Sequence, residues 1–136
     1  MNEIRKALYA RLAGDAALTA LLATPTSIYH SVAPQDAQTP FVTLAKQAGD
    51  PRWQFAGAHV QSEVWTVKAV DQNSTASRVE DIAARVDVLL TDAPLTVTGR
   101  VLLAIYRASD VEYTETSGGD LFFHVGAMFR VETQPA

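Results

Sequence analysis

The sequence predicts an α+β fold: a single domain over residues 1–136, a mostly antiparallel β-sheet with helices on one face, and a long hairpin near the C-terminus. Three observations carry this. Apolar residues recur at helical spacing near the N-terminus and again in Ser77–Leu90. Stretches rich in β-branched and aromatic residues lie between those helices and after them. The length, 136 residues, suits one core of ordinary size without metal or disulfide staples.

Each element has its own signal. Ile4, Leu8 and Leu12 recur every fourth residue with Ala7 on the same face, which predicts a first helix ending at Gly14. Asp15 is suited to cap a short second helix carrying Leu18, Leu21 and Leu22, and Pro25 stops it. Ile28–Val32 is a short extended segment closed by Pro34, and Pro40 opens a strand over Phe41–Gln47. Gly49, Pro51 and Gly57 bracket a predicted loop that holds Arg52, Trp53 and Phe55. His59–Ala69 reads as a long strand. Val79, Ile82, Ala83, Val86, Leu89 and Leu90 trace one helical stripe over Ser77–Leu90. Asn73, Ser74 and Ser77 offer caps there, and Ser77 with Glu80 has capping-box spacing. Leu95–Val97 is open between strand and coil. Arg100–Tyr106 is apolar on both faces, the mark of a central strand. In the last strand Leu121, Phe123, Val125, Ala127, Phe129 and Val131 share one side. Asp110–Asp120, tipped by Ser117-Gly118-Gly119, is read as a long polar hairpin connection.

Composition narrows the function. No cysteine is present, so disulfides, thiolate zinc sites and a cysteine nucleophile are excluded. A formal charge of −4 supplies no net basic field for nucleic acid or anionic lipid. Basic residues occur singly, with Lys46 and Lys68 alone in their strands, where sequence-specific DNA recognition calls for a clustered stripe. The longest apolar runs, near Val86–Leu90 and Val101–Ile105, are too short to span a bilayer, and the N-terminal stretch lacks a signal-peptide core.

No catalytic set emerges. His30, His59 and His124 sit on three separate elements without metal-ligand spacing, and are read as strand-surface histidines. Ser117 precedes two glycines, but a strand follows where a nucleophile elbow or phosphate cradle needs a helix. Asp110, Glu112, Glu115 and Asp120 lie in a polar hairpin that cannot tune a carboxylate pair by burial. No cofactor or metal is expected. Trp53 and Phe55 either fold back on the domain or bury against another chain. The expected protein-interface residues are Arg52, Trp53, Phe55, Glu112, Tyr113, Glu115 and Asp120.

The order of motifs resembles one family. ALYARLAGDAALTALL, IYHSVAPQDAQTPFVTLAKQAGD, VQSEVWTVKAVDQNSTASRVEDIAARVDVLL and the closing LFFHVGAMFRVE look like the phage tail-completion, or tail-terminator, proteins, whose relatives occur in gene transfer agents. The resemblance implies a non-enzymatic virion subunit, assembled in the host cytoplasm into a ring, usually a hexamer, at the tail neck. Such a ring stops tube polymerisation and offers a surface to the head. Its partners would be further copies of the chain, the major tail tube protein and a head-closure or connector protein. DNA would only pass through the lumen, and no membrane is involved. The loop with Trp53 and Phe55 is less polar than is usual in that family. Alternatives are another neck adaptor, or a dimeric ferredoxin-like module with a small-ligand pocket; a small enzyme is the reading least supported by the residues.

Overall fold

A computed structural model describes residues 2–53 and 59–136, with Arg52 and Trp53 described by their backbone alone. Phe55 lies outside the described residues.

Helix α1 spans Glu3–Ala13. The Asn2 side chain caps it by accepting from the Ile4 and Arg5 amides at 2.8 and 3.1 Å. Its buried face is Ile4, Ala7, Leu8 and Leu12. Helix α2 is the single turn Ala16–Thr19, capped as expected by Asp15, which accepts from the Leu18 amide at 2.8 Å. The helix stops before Leu21, which is exposed, whereas Leu22 is buried.

Among the described residues the five strands are β1 (Ile28–His30), β2 (Phe41–Trp53), β3 (His59–Gln72), β4 (Arg100–Ser117) and β5 (Asp120–Pro135), with α3 (Ser77–Leu90) between β3 and β4. They form one sheet in the order β1-β2-β3-β5-β4, antiparallel except where β1 joins β2. Leu95 and Val97 are buried outside any strand.

One face of the sheet presents Leu44, Trp65, Val67, Ala127, Phe129 and Val131 to the helices, and these join the helical stripes in one core. Burying that apolar surface is the main stabilising term. Helix α3 contributes Val79, Ile82, Val86, Leu89 and Leu90, as its periodicity predicts.

Two ion pairs fix the helices laterally. Arg85 of α3 grips Asp15 through two bonds of 2.7–2.8 Å, so the carboxylate that caps α2 also ties it to α3. Arg78, in the first turn of α3, makes the same fork to the fully buried Asp71 at the end of β3, with bonds of 2.8 and 2.6 Å. Bidentate geometry of this kind sets direction as well as adding energy.

Four expectations need correction. The loop expected over Gly49–Gly57 is strand up to Trp53, which pairs with His59. The irregularity between Lys46 and Ala48 marks a bulge, and bulges let a strand bend and continue. The connection expected over Asp110–Asp120 is strand up to Ser117, leaving a turn of Gly118 and Gly119 alone. Polarity there signalled an exposed edge, not a loop. Segment Arg100–Tyr106 lies in an edge strand rather than a central one, with Val101, Leu103 and Tyr106 between 41 and 46% exposed. Two breaks in register along β4 suit an edge, where no second neighbour demands an unbroken ladder. Finally, no side chain among the described residues caps α3; the cap position is Ala76 and Ser77 is already helical. The Arg78–Asp71 fork directs the start of that helix instead.

Candidate assembly surfaces

Both glycines of the β4–β5 turn have positive φ, 59° at Gly118 and 87° at Gly119. A two-residue hairpin turn of this hand matches the twist of its strands, and glycine adopts it without strain. The turn pairs Ser117 with Asp120 and so sets the register from there back to Ser109 and Met128, where the first break falls.

That register builds a polar cluster on the face away from the helices. Tyr113 lies directly across from His124, and the two rings stack with centroids 4.4 Å apart and planes 11° from parallel. His124 Nε2 and Glu115 Oε1 are 2.6 Å apart. Lys68, from β3, donates to the Tyr113 hydroxyl and lies 4.9 Å from the centre of its ring. Burial pushes the His124 pKa below the usual histidine value; the Glu115 carboxylate opposes that shift, and Lys68 adds to it. Beside the cluster is a concavity of about 490 Å³, walled on one side by Val32, Pro34 and Gln35 and on the other by Phe122 and His124.

The arrangement is poorly suited to proton transfer. With Nε2 directed at Glu115, the remaining nitrogen, Nδ1, would have to serve as the base. Nδ1 is buried and meets no hydrogen-bond partner among the described residues. A substrate on the surface cannot reach it. Among the described residues no three His, Asp or Glu side chains converge as a metal site.

The structure separates the sequence-selected residues into two groups. Arg52 and Trp53 end β2 at the tip of the β2–β3 hairpin. Tyr113, Glu115 and Asp120 gather at the opposite end, where Gln72 closes β3. Those 13 residue steps of β3 span about 43 Å. Glu112 is exposed on the helix-bearing side, because its partner Val125 packs against the core. The β4–β5 hairpin closes in a two-residue turn rather than in a long loop leaving the sheet.

Lys68 and His124 were not anticipated here. His124, read as a strand-surface histidine, is 6% exposed, while His30 is exposed as expected. The one available signal was its place between Phe122 and Met128 on the second face of β5. Lys68 carried no signal, since the β3–β5 pairing that delivers it is non-local.

A small sheet-and-helix domain whose exposed features are hairpins and open edges is a class suited to assembly, and comparison with known proteins agrees. Residues 6–133 match the model of the family described as tail completion protein gp17. The chain belongs to that family, and its role is structural, in a phage-type tail. Among solved structures it is similar to a chain of the virion of a native gene transfer agent particle, at TM-score 0.77 and 19% identity over 96% of this chain and 94% of that one. A second solved chain matches at TM-score 0.56 and 18% identity, covering 95% and 93%. A search of curated protein sequences found no match.

Proposed function

We propose that the chain is the subunit of a ring, six-fold in the family-based reading, that closes the head-proximal end of a tail tube, stops its polymerisation and presents the surface that joins the head. The observation that carries this is the family match over nearly the whole chain. The fold shared with a chain of a gene transfer agent virion supports it. The ring acts without catalysis, assembles in the host cytoplasm and resides at the tail neck. Its neighbours are further copies of itself, the major tube protein and the connector, while DNA passes through the lumen.

The two ends of the sheet then have separate tasks. The β2 end with Arg52 and Trp53, together with Phe55 that follows in the sequence outside the described residues, meets one neighbour, and the end with Tyr113, Glu115 and Asp120 meets another. Aromatic side chains at a tip are suited to anchor an interface. Deleting the gene tests the role: particles should show tails of irregular, often excessive length that fail to join heads. Normal tails attached to heads in the deletion strain would refute it.

A further inference from the structure

The outer edge of β4 is the longest backbone surface without a neighbouring strand among the described residues. At Ile105 its carbonyl accepts from the Asp92 amide at 3.1 Å, so the loop after α3 covers that level. Beyond it, from Arg107 to Ser117, no strand lies on the edge among the described residues. This open stretch carries Asp110, Glu112 and Glu115, and Asp120 follows at the turn. Arg107 is its one cation and is already bound to Asp87 and Asp110 at 3.0 and 2.6 Å. Glu112 is exposed and has no hydrogen-bond or ion-pair partner among the described residues.

The opposite flank of the sheet carries the complementary charge. Strand β1 forms that edge, with α1 beside it. Arg5 of α1 makes its one side-chain bond among the described residues to the His30 ring, at 3.2 Å, so no carboxylate there offsets its guanidinium charge. Lys6 and Lys46 point to the same region; their carboxylate partners, Glu3 and Glu63, stand 3.3 and 3.6 Å away. Arg5, Lys6, Tyr9, His30 and Leu44 enclose a notch of about 260 Å³.

The strand registers place the two flanks at the same height. One row runs His30, Leu44, Val67, Ala127, Asp110. The next but one runs Ile28, Val42, Ala69, Val125, Glu112. Leu44, Val67 and Ala127 face the helices, so His30 and Asp110 leave the sheet on that same side. A second copy translated sideways along these rows brings its basic flank level with the acidic edge of the first.

We propose that neighbouring copies of this chain dock head to tail, the open acidic edge of β4 in one copy against the α1–β1 flank of the next, with Glu112 meeting Arg5 and Lys6. The proposal rests on the ring reading and names the surfaces that would make the ring. Such an interface joins two different patches, which is what a cyclic assembly of more than two copies requires. The carboxylates also oppose the competing contact, β4 edge against β4 edge across a two-fold axis, because like charges would face each other. Charge pairing of this kind directs partner choice and register.

Exchange of charges tests it on the full chain. Native mass spectrometry and negative-stain imaging would follow assembly of wild type, E112K, and R5E/K6E, with circular dichroism confirming the fold. Lys6→Glu alone, at a side chain half in solvent, replaces the pair if Arg5→Glu disturbs α1. Each variant alone should assemble about tenfold or more weakly than wild type, because each sets like charges against its own opposite flank. A 1:1 mixture should restore the wild-type assembly, since every contact in an alternating ring then joins opposite charges. Variants that form rings as wild type does would overturn the flank pairing while leaving the ring reading intact. A wild type that stays monomeric would overturn the ring reading itself and this interface with it. A rescued species of two chains would overturn the head-to-tail arrangement.

Discussion

Gly126 offers a sharp test of how closely β3 and β5 approach. It pairs with Lys68 in the middle of the β3–β5 ladder, beneath the Lys68–Tyr113 contact. A Cβ added at Gly126 would lie 2.2 Å from the Val67 carbonyl oxygen, 2.5 Å from Lys68 Cα and 2.7 Å from Lys68 Cβ. The first two are backbone atoms of a central strand, so no rotamer change relieves the clash. Reaching even 3.0 Å requires the strands to part by about 0.8 Å locally. Hydrogen bonds of ordinary length would then exceed bonding range. Losing two such bonds, at about 1 kcal/mol each, plus overpacking strain of about 1–3 kcal/mol, gives a cost of about 3–5 kcal/mol for Gly126→Ala. For a domain of this size the unfolding entropy makes 1 kcal/mol worth about 3–4 °C, so the melting temperature should fall by roughly 10–18 °C. Gly49→Ala is the control. Its Cβ would meet the end of the Lys46 side chain at 2.9 Å, which can swing aside, and the change should stay within about 1 kcal/mol. Thermal melts by circular dichroism, with hydrogen exchange at the Lys68 amide, provide the readout. A Gly126→Ala protein that melts within 3 °C of wild type would show that β3 and β5 are not so closely apposed.

What was legible in the sequence followed from periodicity. The α3 stripe is read nearly whole, because Ile82, Val86 and Leu89 must all point at one sheet face; of the residues assigned to it only Ala83 is half-buried at the margin. The alternation Ala127, Phe129, Val131 likewise picks out the buried side of β5. Polarity was the misleading signal. Asp110–Ser117 looks like a loop because its side chains are wet, yet an edge strand satisfies its backbone on one side only and tolerates polar side chains on both faces. Arg100–Tyr106 misled in the reverse sense, since apolar residues on both faces suggested a centre and the sheet order made them an edge. The Tyr113–His124–Lys68 cluster depends on two strand pairings, β3 with β5 and β5 with β4, and no local pattern encodes those. The acidic edge was visible as composition alone; its level with His30 and Arg5 exists only once five strands are in register.

Two further outcomes follow from the core and the cluster. Ile82 is fully buried against the sheet, so Ile82→Asp would place a charge where no partner exists and should cost about 4 kcal/mol or more; circular dichroism should show an unfolded or barely folded chain, and a melting temperature within a degree or two of wild type would remove α3 from the core. His124 concerns pH. Its folded pKa lies below its unfolded value of about 6.5, so the unfolded chain binds the proton more readily. Stability is therefore fully present above about pH 6.5 and declines as pH falls toward the folded pKa. The groups facing the ring are Lys68, Tyr113 and Glu115, and a variant that lacks the imidazole isolates the contribution of His124 itself. His124→Phe keeps an aromatic ring against Tyr113 and removes the titration. Urea midpoints measured from pH 7 to pH 5 should fall more steeply for wild type than for His124→Phe. Parallel slopes for the two proteins would mean that the ring takes up its proton without disturbing the fold, and that burial does not hold His124 neutral.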